Sequence, residues 1–374
     1  MRRSSGFPRL FALILLFWLS PGYLWCPVWS QELTAPAPEE VEEARTLPLF
    51  ISHETIRITV EADFAAMKRH DRIQDSEERP AILRWQTPSG TMDTMAIQVQ
   101  TRGNFRLQKR NCEFPPLRLN LKKEATRGTV FQGQDKLKMV VVCKPGQDYW
   151  EQYVLLEYLA YRTFNLITDI SFRARLVRVT YVDTSGDEDP FTRYAILLED
   201  DDTLALRAEG RKVDWTSGQL HPRDLEPHHA VLVDLFQYMI GNTDWSGVEM
   251  HNMELIQGAD YRHYTVPYDF DFSGLVNARY ATPDPRLPIR RVRQRLYRGF
   301  CPEDVGRTEE PYQEGFQRFR EVKAEIYTLW RNQEGLERDR LAESLEYFDE
   351  FYETLENPDR LRSEILEECR RVPR

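Results

Sequence analysis

Near residue 149 the hydrophobic repeat of this 374-residue chain changes from strand-like to helix-like, and that change bounds what it can fold into. Before it, Thr55-Ile56-Arg57-Ile58-Thr59-Val60 alternates, as do 81–85 and 95–99, with Pro88-Ser89-Gly90 as a turn between them. Alternation places every second side chain on one face of a strand, so 80–102 reads as a hairpin. Residues 117–121 alternate too, and 136–142 read as a more fully buried strand. From 149 to 166 the spacing is helical, with Tyr153, Leu156, Leu159, Ala160 and Phe164 on one face. Strands resume at 175–181 and 193–198. Beyond Glu199 the pattern is mostly helical: a helix at 228–240, a hairpin-like section at 252–272, and long charged helices from 309 to 370. The expectation is an α+β protein of two lobes, 51–199 and 200–374, with a cleft between them. No internal repeat is visible.

The N-terminus reads as an export signal. Arg2, Arg3 and Arg9 precede an apolar run at 10–19, Pro21 and Gly22 break it, and Val28-Trp29-Ser30 suits signal peptidase. The run is shorter than the roughly 20 residues a membrane span needs. Cleavage after residue 30 removes three arginines and no acids from a net charge of −10, leaving −13. So acidic a chain is poorly suited to nucleic acid, which wants basic patches. Residues 31–50, rich in Pro, Ala and Glu, read as a disordered linker. Cys112, Cys143, Cys301 and Cys369 remain, an even number in an oxidising compartment. Of three pairings, Cys112–Cys143 and Cys301–Cys369 are favoured because each joins nearby segments. Zinc is the competing reading, without a Cys-x-x-Cys spacing to support it. The location expected is secreted or extracytoplasmic, with no stable membrane span.

The stretch richest in chemistry runs from Ile240-Gly241-Asn242-Thr243-Asp244-Trp245 through His251-Asn252 to YTVPYDFDFSG at 264–274. It sets Asp244 after a buried helix, Asn252 eight residues on, and Asp269-x-Asp271 on an expected strand. Phosphoryl transfer needs such a set: one carboxylate to take the acceptor hydroxyl's proton, an Asn and a further carboxylate to hold Mg²⁺ against the phosphates. Residues two apart on a strand share a face, so Asp269 and Asp271 are expected together, with Tyr268, Phe270 and Phe272 packing inward.

The order of elements resembles the spore-coat-protein-H (CotH-like) family of secreted atypical protein kinases. The residues that carry the resemblance are Thr101-Arg102-Gly103-Asn104, 116–121 with Arg118, the helix at 149–166, 194–199, Asn242-Thr243-Asp244-Trp245 and 267–271. It spans roughly 95–275 and implies a bilobal kinase-like fold binding ATP and Mg²⁺ or Mn²⁺. Asp244 would then be the catalytic Asp, and Asn252 and Asp269 metal ligands, with Asp271 as a second carboxylate ligand. Arg102 and Arg118 would face the phosphates, Glu157 or Glu151 would pair with Arg118, and Glu199 would lie at the hinge near the adenine. The partners implied are a nucleotide and a hydroxyl acceptor, protein or small molecule. Here the Asp-to-Asn spacing is stretched by 247–251, which motivates an alternative: a catalytically inactive binding or structural module of the cell envelope. A nucleotide-sugar transferase is disfavoured by the lack of an early βαβ pattern.

Three further patterns read as structure. His221-Pro222-Arg223-Asp224-Leu225 is expected to be the turn before the helix at 228; Gly128 to Gly133 lacks the Lys-Ser/Thr of a phosphate loop. The basic run 290–295 is expected to be a solvated helix face.

Overall fold

The computed structural model describes residues 35–87, 89–215 and 220–372. The expected signal segment at 1–30, and 31–34 of the expected linker, lie outside these residues.

Alternation here closes a barrel. The strands are β1 (Ile56–Ala62), β2 (Arg79–Gln86), β3 (Met92–Thr101), β4 (Leu117–Asn120), β5 (Lys136–Val140), β6 (Ala174–Asp183) and β7 (Phe191–Leu198). They bond in the order β1-β2-β3-β4-β5-β7-β6 and back to β1. All pairings are antiparallel except that of β1 with β6. Val60, Leu83, Val99, Leu119, Leu137 and Val179 turn inward and are fully buried, so the barrel is packed rather than hollow. Single-turn helices α3 (Phe64–Met67) and α4 (Lys123–Thr126) sit in its connections.

Helix α5 (Glu151–Ile167) lies between β5 and β6 in the chain, and its burial exceeds the expected single face: 13 of its 17 residues are buried. It packs on the outer face of the barrel through Leu176, Ile196 and Leu198, and on α9 (Glu310–Arg331). Trp330 of α9 donates its indole N–H to Thr163 Oγ1 at 2.9 Å. Beyond the barrel follow α6 (Asp201–Arg207), then a small antiparallel sheet in the order β10-β9-β8: β8 (Gly210–Lys212), β9 (Met253–Gly258) and β10 (His263–Pro267). Helix α7 (Pro227–Met239) precedes the Asp244 loop, and α8 (Pro302–Val305), α9, α10 (Arg338–Glu356) and the short α11 (Pro358–Leu361) follow it.

This corrects the expected fold class. The protein is α+β, but it is not a bilobal kinase-like fold with a strand-rich N-lobe and a helical C-lobe. The seven strands use all their edges on one another. One apolar core then runs from the barrel's outer face through α5 to α7, α9 and α10. Thr34–Arg374 is a single compact unit.

Two smaller expectations also change. Residues 35–50 are not a disordered linker: α1 (Pro38–Arg45) and α2 (Pro48–Ile51) bury Val41, Ala44, Leu49 and Phe50. Glu40 and Arg45 pair with Arg211 and Glu209 at 2.7 and 2.6 Å. The few apolar residues among the acids are spaced to share a helix side, which composition alone hides. The run at 290–295 is no helix; Arg295 stacks 3.5 Å from the Tyr347 ring centre and pairs with Glu350 at 2.8 Å. The turn at Pro222–Asp224 stands where expected, ahead of α7.

Both favoured disulfides are present, Cys112–Cys143 and Cys301–Cys369, closing loops of 31 and 68 residues. Loop closure of that length is worth about 4 kcal/mol each. Among the described residues no helix is long and apolar enough to cross a membrane. Both facts are compatible with an extracytoplasmic location.

His229 joins α7 to β10. Its ring Nε2 lies 3.0 Å from the Thr265 carbonyl oxygen, to which it donates as the neutral imidazole, and burial pushes its pKa down to about 4. The unfolded chain takes up this proton below about 6.5 and the folded chain only below about 4. Stability should therefore fall as pH drops through that window, by about 3 kcal/mol. Measured against His229→Gln by melting curves between pH 7 and 4, the wild type should lose stability by that amount as pH falls.

Candidate active site

Phe270 determines where the acids go. It is fully buried, 4.6 Å from Tyr161 of α5 and 5.3 Å from Phe236 of α7, ring centre to ring centre. Its neighbours Asp269 and Asp271 are carried inward with it. They are not on a strand, as expected, because β10 ends at Pro267. Asp269 instead adopts φ 64°, a left-handed turn conformation that Asp tolerates better than most residues. Its N–H donates to Tyr161 Oη at 2.9 Å. The turn is tied to the end of α7: the N–H groups of Gly274 and Leu275 donate to the carbonyls of Gly241 and Ile240 at 3.0 and 2.9 Å.

Glu157 lies one helical turn before Tyr161 on α5 and joins this group. It is buried, and among the described residues Oε1 has no hydrogen-bond partner. Burial, then Asp271 and Asp269, push its pKa well above the carboxylate range, against the pull of Arg106 and Arg102. Asp271 is likewise raised to about 8, by burial first and by Asp269 beside it, while Arg106 opposes and Tyr280 donates its O–H to Oδ2 at 2.7 Å. Buried Glu157 and Asp271 and half-buried Asp269 thus lie together with only two guanidiniums against three acids.

Arg106 is the residue that sequence reasoning missed. It follows the Arg102-Gly103-Asn104 segment in the β3–β4 connection, which the Cys112–Cys143 disulfide and the N–H groups of Glu113 and Phe114 on the Cys143 carbonyl pin down. One of its nitrogens donates to the Val141 carbonyl, and its Nε is shielded from solvent with no partner. Burial opposes its charge, but Tyr280, Asp271, Glu157 and Asp269 hold it. In sequence it is one of several basic residues before Cys112, with nothing to mark it out.

Asp244 and Asn252 meet in spite of their spacing. Ser246 and His251 exchange backbone hydrogen bonds at 3.0 and 3.1 Å, pinching off the inserted residues. Asn252, at φ 53°, then donates its side-chain N–H to the Asp244 carbonyl at 2.8 Å and to Oδ2 at 3.1 Å. His251 Nε2 sits 2.8 Å from Asp244 Oδ1, and that bond raises the His251 pKa, against partial burial. Asp269 also acts on His251, so the two acidic segments are electrostatic neighbours. The Asp244 side chain is 42% exposed. It opens into a cleft of about 590 Å³ lined by residues 243–298, with Arg298, Arg286 and Phe272 among its walls. The cleft is therefore built within this half of the chain, not between two lobes.

Of the expected site residues, Glu157, Arg102, Asp269 and Asp271 come together, and Asp244 and Asn252 are bonded. Arg118 and Glu199 are elsewhere. Arg118 stands in register between Gln100 and Lys138 on the barrel's outer face, and is not among the charges acting most on Glu157. Glu151 pairs instead with Arg178 at 2.7 Å. Glu199 is fully buried, with both oxygens on Arg207 at 3.0 and 2.9 Å and one also on the Arg173 N–H. Lys138 pairs with Asp201 at 2.5 Å. Among the described residues, no three His, Cys, Asp or Glu side chains are arranged to hold a metal ion.

No family model matches the chain, and no curated protein matches it either. The CotH-like family is thus not identified by these comparisons.

Removing a partner from a buried charge cluster costs more than neutralising one of its surplus charges. Arg106→Ala should lose about 3–5 kcal/mol in urea unfolding, whereas Glu157→Gln, which retains shape and deletes a buried acid, should leave stability unchanged or raised.

Proposed function

We propose that this chain is a phosphotransferase that moves the γ-phosphate of ATP to a hydroxyl acceptor with Mg²⁺ or Mn²⁺, after export and cleavage of a signal peptide at residue 30. The observation that supports this reading best is the bonding of Asp244 to Asn252 and His251 at the mouth of an open cleft, with Asp269 close enough to act on His251.

Asp244 would accept the acceptor's proton as its oxygen bonds to the γ-phosphorus and the bond from that phosphorus to the departing ADP breaks. His251 and Asn252 fix the carboxylate's orientation and leave it lone pairs for that proton. Asn252, Asp269 and Asp271 are the residues that would hold the divalent ion. Side-by-side carboxylates without enough cationic partners fit such a role, and Mg²⁺ commonly takes one or two carboxylates with substrate phosphates supplying the rest. The ion would neutralise charge developing on the transferring phosphate. Arg102 and Arg106 bring guanidiniums to the same acids; Arg118 and Glu199 have no part in this reading.

A second reading has its own observation. The Tyr280 hydroxyl bonds Asp271 and the Arg106 guanidinium offsets its charge without a metal ion, which favours a binding or structural module of the cell envelope that does not turn over.

Thermal melting separates the two. With saturating ATP and Mn²⁺ the wild type should melt roughly 3 °C higher, and Asp269→Ala should lose that shift. Asp244→Ala should retain the shift and lose transfer of labelled γ-phosphate at least 100-fold, about the value of one positioned base. No shift in the wild type favours the second reading.

A further inference from the structure

The outer face of the barrel carries a polar hollow of about 870 Å³ that shares no lining residue with the Asp244 cleft. Its floor is the solvent side of β2, β1, β6 and β7. The strands alternate, so Ile58 and Val179 fill the barrel while Arg57, Thr59, Arg178, Thr180, Thr192 and Tyr194 point away from it. They form two rows. Arg57 is in register with Arg178 and Arg178 with Tyr194; Thr59 is in register with Thr180 and Thr180 with Thr192.

The two arginines are treated differently by their surroundings. Arg178 is neutralised by Glu151 at 2.7 Å and lies 4.4 Å from the Tyr194 ring centre. Arg57 is exposed and, among the described residues, has no ion pair or hydrogen bond, although another guanidinium stands beside it. With Arg178 engaged by Glu151, Arg57 is the guanidinium of the pair left to take an anion. A guanidinium fork suits a carboxylate. Beside it, the Thr180 and Thr192 hydroxyls lie 2.9 Å apart and can each both donate and accept. Glu54 and Glu334 on the rim add negative charge that disfavours a compact, multiply charged anion, whereas a uronic acid chain spaces one carboxylate per sugar ring.

We propose that this hollow binds an acidic sugar, a hexuronate unit of a polysaccharide, with its carboxylate on Arg57 and its hydroxyls on the row Thr59, Thr180 and Thr192. The site is independent of the phosphotransfer reading, and either can fail without the other.

Titration calorimetry of the full chain with a galacturonate trimer tests it, using maltotriose as the neutral counterpart and citrate as a competing simple anion. The trimer should bind and maltotriose should not. Arg57→Ala, at an exposed position that leaves the barrel core untouched, should weaken binding about ten-fold, and Thr180→Val should weaken it several-fold through the lost hydroxyl. Absence of trimer binding, unchanged binding in Arg57→Ala, or displacement by equimolar citrate would overturn the assignment, the last by showing a site for anions without regard to sugar.

Discussion

Helix α5 is enclosed on nearly every side, and most of the structure is arranged by that burial. It lies on the barrel through Leu176, Ile196 and Leu198, on α9 through Thr163 and Trp330, and on α7 through Phe164, whose ring centre is 4.4 Å from that of Phe236. A helix apolar on all sides must be surrounded to be stable. Surrounding it leaves no seam between the barrel and the helices that follow. The same helix carries Tyr153, Glu157 and Tyr161 at four-residue steps, so all three project along one line toward the segment 269–280.

The candidate site follows from this packing. Phe270 buries itself against Tyr161 and Phe236, and the acids on either side go with it. Burying acids together is unfavourable, and the chain compensates with Arg106, held by a connection that the Cys112–Cys143 disulfide shortens. In the exposed loop after α7, Asp244 stays half open to solvent and is oriented by short hydrogen bonds rather than by burial. One group is shielded, with Glu157 and Asp271 pushed above the usual carboxylate range; the other is open and oriented. That division of environments is how a protein gives neighbouring carboxylates different tasks.

Local patterns were legible where one local rule governs. The alternating strands, the helices at 151–167 and 227–239, and both disulfides follow from periodicity and cysteine spacing. The Asn252–Asp244 pairing was legible as residue types but not as geometry, because the Ser246–His251 pinch depends on backbone bonds that no side chain announces. Arg118 has its expected role only from the resemblance, and its face of the barrel is turned elsewhere. Arg106 was invisible because its role comes from a connection fixed by a distant cysteine.

The sequence by itself determined which residues alternate, which stretch is helical and which acids stand near an Asn, and it favoured one of three cysteine pairings. Each of these depends on neighbours a few residues away or on a small number of cysteines. Only the tertiary structure decided that the strands close into a barrel and that one core joins it to the helices, replacing the expected two lobes. Strand order is a matter of long-range pairing: placing β1 parallel to β6 brings together segments with most of the barrel's chain between them, and nothing in either strand's own pattern specifies that partner.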